Sequence, residues 1–114
     1  MLMKKLDIII RPEKVEKMKW ILQECDAKGA MFTRVSGYGN QRGKEYTYQG
    51  KTYFENIFTK TKVETYVDDE TADKLIDMIK KEIPDGEVGD GKIFVTEISN
   101  VIRLRTGEEG EKAL

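Results

Sequence analysis

The sequence predicts an α+β sandwich built from two β-α-β halves joined by a long polar loop. Two apolar patterns of period two are each separated from the next strand by an apolar pattern of helical period. A third observation is the 39–55 stretch between the halves, GNQRGKEYTYQGKTYFE, which carries no core pattern of either period and reads as a functional loop, its tyrosines alternatively as strand residues of a plain hairpin. Strand, helix, strand, loop, strand, helix, strand is the split βαβ arrangement of a ferredoxin-like sandwich.

Each element follows from its residues. Lys4 to Ile10 alternates Leu6, Ile8 and Ile10 with a further Ile9, as a mostly buried strand does. Pro12 suits the first turn of a helix, where its missing N–H would be unpaired anyway. Val15, Met18, Ile21, Leu22 and Cys25 then fall at helical spacing, predicting a helix over 13–25 that Lys28-Gly29 ends. Ala30 to Tyr38 is the second strand. After the loop, Ile57, Thr59, Thr61, Val63, Thr65 and Val67 place β-branched side chains on one face of a third strand. Asp68 or Asp69 caps a second helix whose Ala72, Leu75, Ile76, Ile79 and Ile83 form one stripe, and Pro84-Asp85-Gly86 stops it. Lys92 to Ile98 is the fourth strand. Val101 to Arg105 reads as a short extended piece before the polar ending TGEEGEKAL.

Two helices on one face of four strands leave the other face bare. Tyr66, Phe94 and part of the second strand are then expected in the open, so self-association is the natural remedy.

At 114 residues the chain is one domain, spanning 1–114, and long enough to own a core. Lys+Arg 20 against Asp+Glu 21 gives a formal net charge of −1, which speaks against a nucleic-acid binder relying on a positive field. The single Cys25 has no internal partner, as expected of a reducing compartment. MLMKKLDIIIRP offers too short an apolar run for a signal-peptide core, and no segment approaches membrane-span length; a soluble cytoplasmic protein with no membrane insertion is expected. The chain has no histidine, which removes the usual general base and the Ser-His and Cys-His arrangements.

Two glycine-rich turns lie beside cations. One is Gly37-Tyr38-Gly39-Asn40-Gln41-Arg42-Gly43 after the second strand; the other is Gly86-Glu87-Val88-Gly89-Asp90-Gly91-Lys92 before the fourth. Glycine lets backbone N–H groups converge on an anion, and a rim lysine adds charge. Neither is a Walker A loop, and each taken alone also reads as plain turn chemistry. Arg103 and Arg105, alternating with Leu104, suit forked recognition of phosphate oxygens, or else a charged edge that resists strand pairing.

With these motifs in place the chain resembles the PII nitrogen-regulatory signal-transduction proteins along nearly its whole length. The matching stretches are IIRPEKV, KGAMFTRVSGYGNQRG, YQGKTY, KTKVE, GDGKIFV and IRLRTGEEGEKAL. The resemblance implies a homotrimer of ferredoxin-like subunits that is not an enzyme. It implies ATP or ADP bound between neighbouring subunits, and 2-oxoglutarate bound beside Mg-ATP. It further implies a T-loop, about 39–55, that regulates ammonium transporters or nitrogen-metabolism proteins. A phosphate-side turn at about 84–92 and a C-terminal segment, 101–114, are implied to grip the nucleotide.

Residue by residue, Gly89, Asp90, Gly91 and Lys92 match the phosphate-side turn, and Arg103 and Arg105 the arginines reaching in from the neighbour. Gly37 and Glu64 match nucleotide-contact positions. Gln41 matches the Mg²⁺ ligand shared with 2-oxoglutarate, and Lys60 the cation pairing with its carboxylate. Arg42, Gly43 and Gly89 match positions around that acid, and Tyr53 a tyrosine modified in some relatives. Departures from the family pattern are Met31 and Asp85 for threonines, Asn40 for an arginine, Arg42 for a lysine and Gln49 for an arginine. The first four bear on nucleotide affinity, the last on transporter control. Competing readings are a specialised variant with a dedicated target such as nitrogenase, an acylphosphatase-like enzyme, and an RNA-recognition module. The last lacks the required aromatic signature.

Overall fold

The computed structural model describes residues 3–39, 45–54 and 57–114. Its strands are β1 (Met3–Ile10), β2 (Met31–Tyr38), β3 (Glu45–Tyr48), β4 (Lys51–Phe54), β5 (Ile57–Asp68) and β6 (Lys92–Ile98). Its helices are α1 (Val15–Glu24) and α2 (Asp69–Glu82). The main sheet has the order β2-β5-β1-β6 with every pair antiparallel, which is the predicted sandwich.

The alternation read from the sequence is the alternation of burial along β1 and from Thr61 to Val67, while Ile57 and Thr59 at the start of β5 are exposed. Leu6, Ile8, Ile10, Val63 and Val67 point under the helices and meet Met18, Ile21, Leu75 and Ile79 in one continuous core. Thr65, fully buried among them, satisfies its hydroxyl by donating to the Gly29 carbonyl at 2.7 Å. Asp68 caps α2 by accepting from Thr71 N–H at 2.7 Å, and this bond holds its carboxyl below the usual range.

Three local expectations change. The first helix opens as a 3-10 turn over Pro12–Lys14, and α1 ends at Glu24, one residue short of the expected 25 and well before Lys28-Gly29. Its exit is made by Asp26 at φ 56°, with Ala27 N–H donating to the Leu22 carbonyl at 3.0 Å. The loop between the halves is not wholly irregular, because β3 and β4 form a hairpin. Gln49 at φ 52° and Gly50 at φ 77° supply the two positive angles of a tight two-residue turn. Finally, 101–105 is not an extended piece: Ile102 bridges to Glu109, and the chain folds back over a turn at 104–106.

The other sheet face is bare, as expected, with Tyr66 38%, Met31 53% and Phe94 54% exposed. Its centre is charged. Asp7 stands directly opposite Glu64 in the β1–β5 register, a repulsive pairing by itself. Lys5 lies 3.4 Å from both carboxylates, and Lys62 lies 3.8 Å from Asp7 and 3.6 Å from Glu64. Asp7 Oδ1 is buried there without a hydrogen-bond partner among the described residues.

Candidate functional site

The turn between α2 and β6 is built from its own side chains. Asp90 Oδ2 accepts from Gly86 N–H at 2.9 Å and Glu87 N–H at 3.0 Å, while Oδ1 accepts from Asp85 N–H at 3.2 Å. Arg11 closes this ring from the other half of the fold. Its guanidinium donates to Asp90 Oδ1 at 2.6 Å and to the Val88 carbonyl at 2.7 Å. Lys14, one helical turn on, pairs with Asp85 at 2.8 Å. Burial pushes the Asp90 carboxyl up, but the Asp85 N–H, the Arg11 guanidinium and the Glu87 and Gly86 N–H groups outweigh it and hold it below the usual carboxylate range.

Lys60, reaching over from β5, donates to the Gly89 carbonyl at 2.7 Å. Burial and then the nearby Arg11 charge lower its pKa from the ordinary lysine value. A trans peptide sets its N–H opposite its C=O, so fixing the Val88 carbonyl on Arg11 turns the Gly89 N–H to the other side. Gly91 is obligatory. At φ +121° a Cβ would stand 1.9 Å from the Ile9 carbonyl oxygen, so the turn is pressed against β1.

These elements enclose a cavity of about 420 Å³ on which Gly37, Lys60, Gly89, Asp90, Gly91 and Lys92 converge. Five of the six residues matched to nucleotide or 2-oxoglutarate contacts on this side come from distant parts of the chain's second half, and Gly37 joins them from β2. The carboxylate of Asp90 is turned inward and organises the turn, so what it presents to an anion is a shape and not a charge.

Glu64 and Arg103 belong elsewhere. They line a second cavity of about 750 Å³ with Met31, Tyr66, Ile98 and Leu114, among others, and the two cavities share no residue. The register explains the separation. Lys92 pairs with Ile9 and Ile98 with Met3, so the cavities lie at opposite ends of the sheet. Seven strand residues span roughly 20 Å. Within the second cavity Arg103 donates to Glu108 at 3.1 Å and to the Leu114 carbonyl at 3.2 Å. Arg105 is exposed on the turn beyond it, so the two guanidiniums are not presented by an alternating strand.

Gln41, Arg42 and Gly43 lie outside the described residues, as does Asn40. Tyr53 belongs to β4, where its backbone pairs with Tyr46. Among the described residues no group of three or more histidine, cysteine, aspartate or glutamate side chains is arranged to hold a metal ion. Among the described residues no helix is long and apolar enough to cross a membrane. The residue that sequence reading passed over is Arg11. It sits inside the IIRPEKV match, but nothing local connects it to an aspartate 79 positions away.

The comparisons with known proteins bear on the family and the fold. The family model for nitrogen regulatory protein P-II matches residues 3–108. A P-II 2 protein from Methanothermobacter thermautotrophicus is 42% identical over 112 residues, covering 98% of this chain and 97% of its own. P-II 1 of Escherichia coli strain K12 is 40% identical over 112 residues, covering 98% of this chain and 100% of its own. Among solved structures, B. subtilis GlnK superposes with a TM-score of 0.82 at 36% identity, over 100% of both chains. The B. subtilis GlnK–ATP complex gives 0.80 at 35% identity, over 99% of this chain and 98% of that one. Arabidopsis thaliana PII bound to citrate gives 0.79 at 33% identity, over 99% and 92%. Proteins of this family are regulatory signal transducers and not enzymes, which sets aside the acylphosphatase-like reading. From residue 3 to 108 and in its whole fold, this chain is a member of the P-II family of nitrogen regulatory proteins.

Proposed function

We propose that the chain is a cytoplasmic nitrogen-status transducer that binds ATP or ADP between the protomers of a homotrimer. One observation carries this reading: most residues matched to nucleotide contacts line two separate cavities at opposite ends of one sheet, which we read as two half-sites. A neighbouring copy supplies the missing half. Gly37, Gly89, Gly91 and Lys92 of one protomer grip the phosphates, while Glu64, Arg103 and Arg105 approach from the next. The solved ATP complex of B. subtilis GlnK, similar over 99% of this chain, supports the choice of nucleotide.

In this reading 2-oxoglutarate binds at the base of the T-loop, about 39–55, beside Mg²⁺ held by Gln41. Lys60 pairs with its carboxylate, and Arg42, Gly43 and Gly89 surround it. Lys60 already stands at the cavity, tied to the Gly89 carbonyl. An anionic ligand competes for that ammonium group, and the contact it breaks lies on the phosphate turn itself. This links the effector to the nucleotide turn and, through β5, to the loop. A ligand moves such a loop only by binding one of its states better than another. A coupling of roughly 1–3 kcal/mol changes affinity for a target about 5–150-fold. The targets are an ammonium transporter or nitrogen-assimilation proteins, and Tyr53 is the modification position.

Calorimetry on the full chain tests the proposal: Mg-ATP first, then 2-oxoglutarate onto the Mg-ATP-loaded protein. Saturable binding of both is expected, with the second dependent on the first. If neither binds in the presence of Mg²⁺, the sensor reading fails.

A further inference from the structure

Leu104 is 96% exposed, more than any other large apolar side chain described. It sits at the tip of a turn that is braced on every side. Arg103 N–H donates to the Glu108 carbonyl at 2.9 Å and Gly107 N–H to the Arg103 carbonyl at 2.7 Å. Thr106 and Arg103 both donate to the Glu108 carboxylate, and Asn100 ties the base of the turn to Glu109 and Gly110. A rigid turn that holds a leucine fully in water is preorganised for an apolar partner, because the conformational entropy of ordering it is already spent.

A matching recess exists at the other end of the fold. Between α2 and the edge strand β6, Ile76, Ile79, Ile83, Pro84, Ile93 and Val95 line an apolar groove of about 330 Å³. Ile9, Asp90, Gly91 and Lys92 line both this groove and the phosphate cavity. The groove adjoins the Lys92–Ile9 end of the sheet, and the Leu104 turn belongs to the Ile98–Met3 end, so one protomer cannot fill its own groove.

We propose that Leu104 is the intersubunit anchor of the nucleotide site: it seats in the α2–β6 groove of a second copy and thereby aims Arg103 and Arg105 at that copy's phosphate turn. This rests on the two-half-site reading above and names the residue that sets its geometry. The occupant is a second copy because the groove and the phosphate cavity share four residues. A leucine flanked on both sides by arginines meets both requirements in one contact. Leu104 touches no nucleotide in this arrangement; it is a positioning residue.

The test uses the full chain. Leu104→Ser removes the anchor from a fully exposed position, so the protomer fold is left alone. Sedimentation equilibrium and Mg-ATP calorimetry should show weaker assembly and a Kd for Mg-ATP raised roughly 10- to 100-fold, the scale of one buried leucine. Separately, a Leu104→Cys protein mixed with a Val95→Cys protein should form a disulfide-linked heterodimer under mild oxidation. Cys25 is buried and does not compete. Unchanged assembly and ATP affinity in Leu104→Ser, or no cross-link between the cysteine variants, overturns the anchor. Weaker assembly with unchanged ATP affinity overturns its aiming role. Wild-type protein that binds no Mg-ATP overturns the nucleotide reading instead, and the cross-link still decides the anchor.

Discussion

The phosphate turn at 84–92 and the arginine-bearing turn at 101–110 are both polar, glycine-containing and adjacent to β6, yet they are held in opposite ways. The first is bound into its own protomer: Asp90 gathers three backbone N–H groups, Arg11 and Lys60 reach in from β1's end and β5, and Gly91 presses on Ile9. Among the described residues the second is braced by its own residues and by Leu114, and its apex faces water. A turn tied to the core is finished when the protomer folds. A turn tied only to itself keeps its shape but has its binding surface unspent, and a partner must complete it. The difference separates what folding prepares from what assembly prepares.

The largest expected effect breaks the first turn outright. Gly91→Ala forces a Cβ onto the Ile9 carbonyl and a strained φ together, and should cost roughly 3 kcal/mol or more in a urea melt. A stability within error of wild type would mean that the turn is not anchored on β1. Next comes Lys92→Ala, which should weaken ATP binding roughly 10- to 150-fold, the scale of a hydrogen bond to a charged group, while assembly stays intact. Full ATP affinity in that variant would return the GDGKIFV stretch to plain turn chemistry.

Arg103→Ala should match that loss in ATP affinity but change protomer stability by less than about 1 kcal/mol, since its pair with Glu108 is largely exposed. Mixing the Lys92→Ala and Arg103→Ala proteins after subunit exchange should restore a fraction of tight sites. No recovery would show that both residues serve the same protomer's site. Asp90→Ala should lower the melting temperature by several degrees, because it strands the Asp85, Gly86 and Glu87 N–H groups and the Arg11 charge. A melting temperature equal to wild type would remove Asp90 from its organising role.

The smallest effect is with pH. The folded Asp90 carboxyl has a depressed pKa, so its contribution to stability is complete above the ordinary carboxylate value of about 3.9. That contribution disappears as pH falls through the depressed folded value. Comparing wild type with Asp90→Asn across this acid range should show the wild-type advantage shrinking as the pH drops. An advantage independent of pH would sink the assignment.

Much of the scaffold was legible in advance. The alternation from Thr61 to Val67 and the stripe from Ala72 to Ile83 state their buried faces directly, because periods of two and 3.6 are local properties of backbone geometry, whereas Ile57 and Thr59 at the start of the same alternation are exposed. GDGKIFV and IRLRTGEEGEKAL carried the family likeness. The hairpin at 45–54 was harder to read. Its signal was the YQGK turn between short runs of tyrosine and threonine, whose sequence carries no apolar alternation and so also reads as a polar loop. The end of α1 falls within one residue of the expected 25, but its exit is turned by the left-handed Asp26, which no local pattern had marked.

The sequence by itself determined the sandwich, the bare sheet face and the two turns on which phosphate chemistry is expected, since each depends on spacing within a short window. Only the tertiary structure decided how those pieces are joined. It brought Arg11 onto Asp90 and Lys60 onto Gly89, and it set Glu64 and Arg103 at the far end from Lys92. The reason is physical: register in an antiparallel sheet converts sequence separation into opposite ends of a rigid plate. No local pattern states which end a residue occupies until the strands have paired.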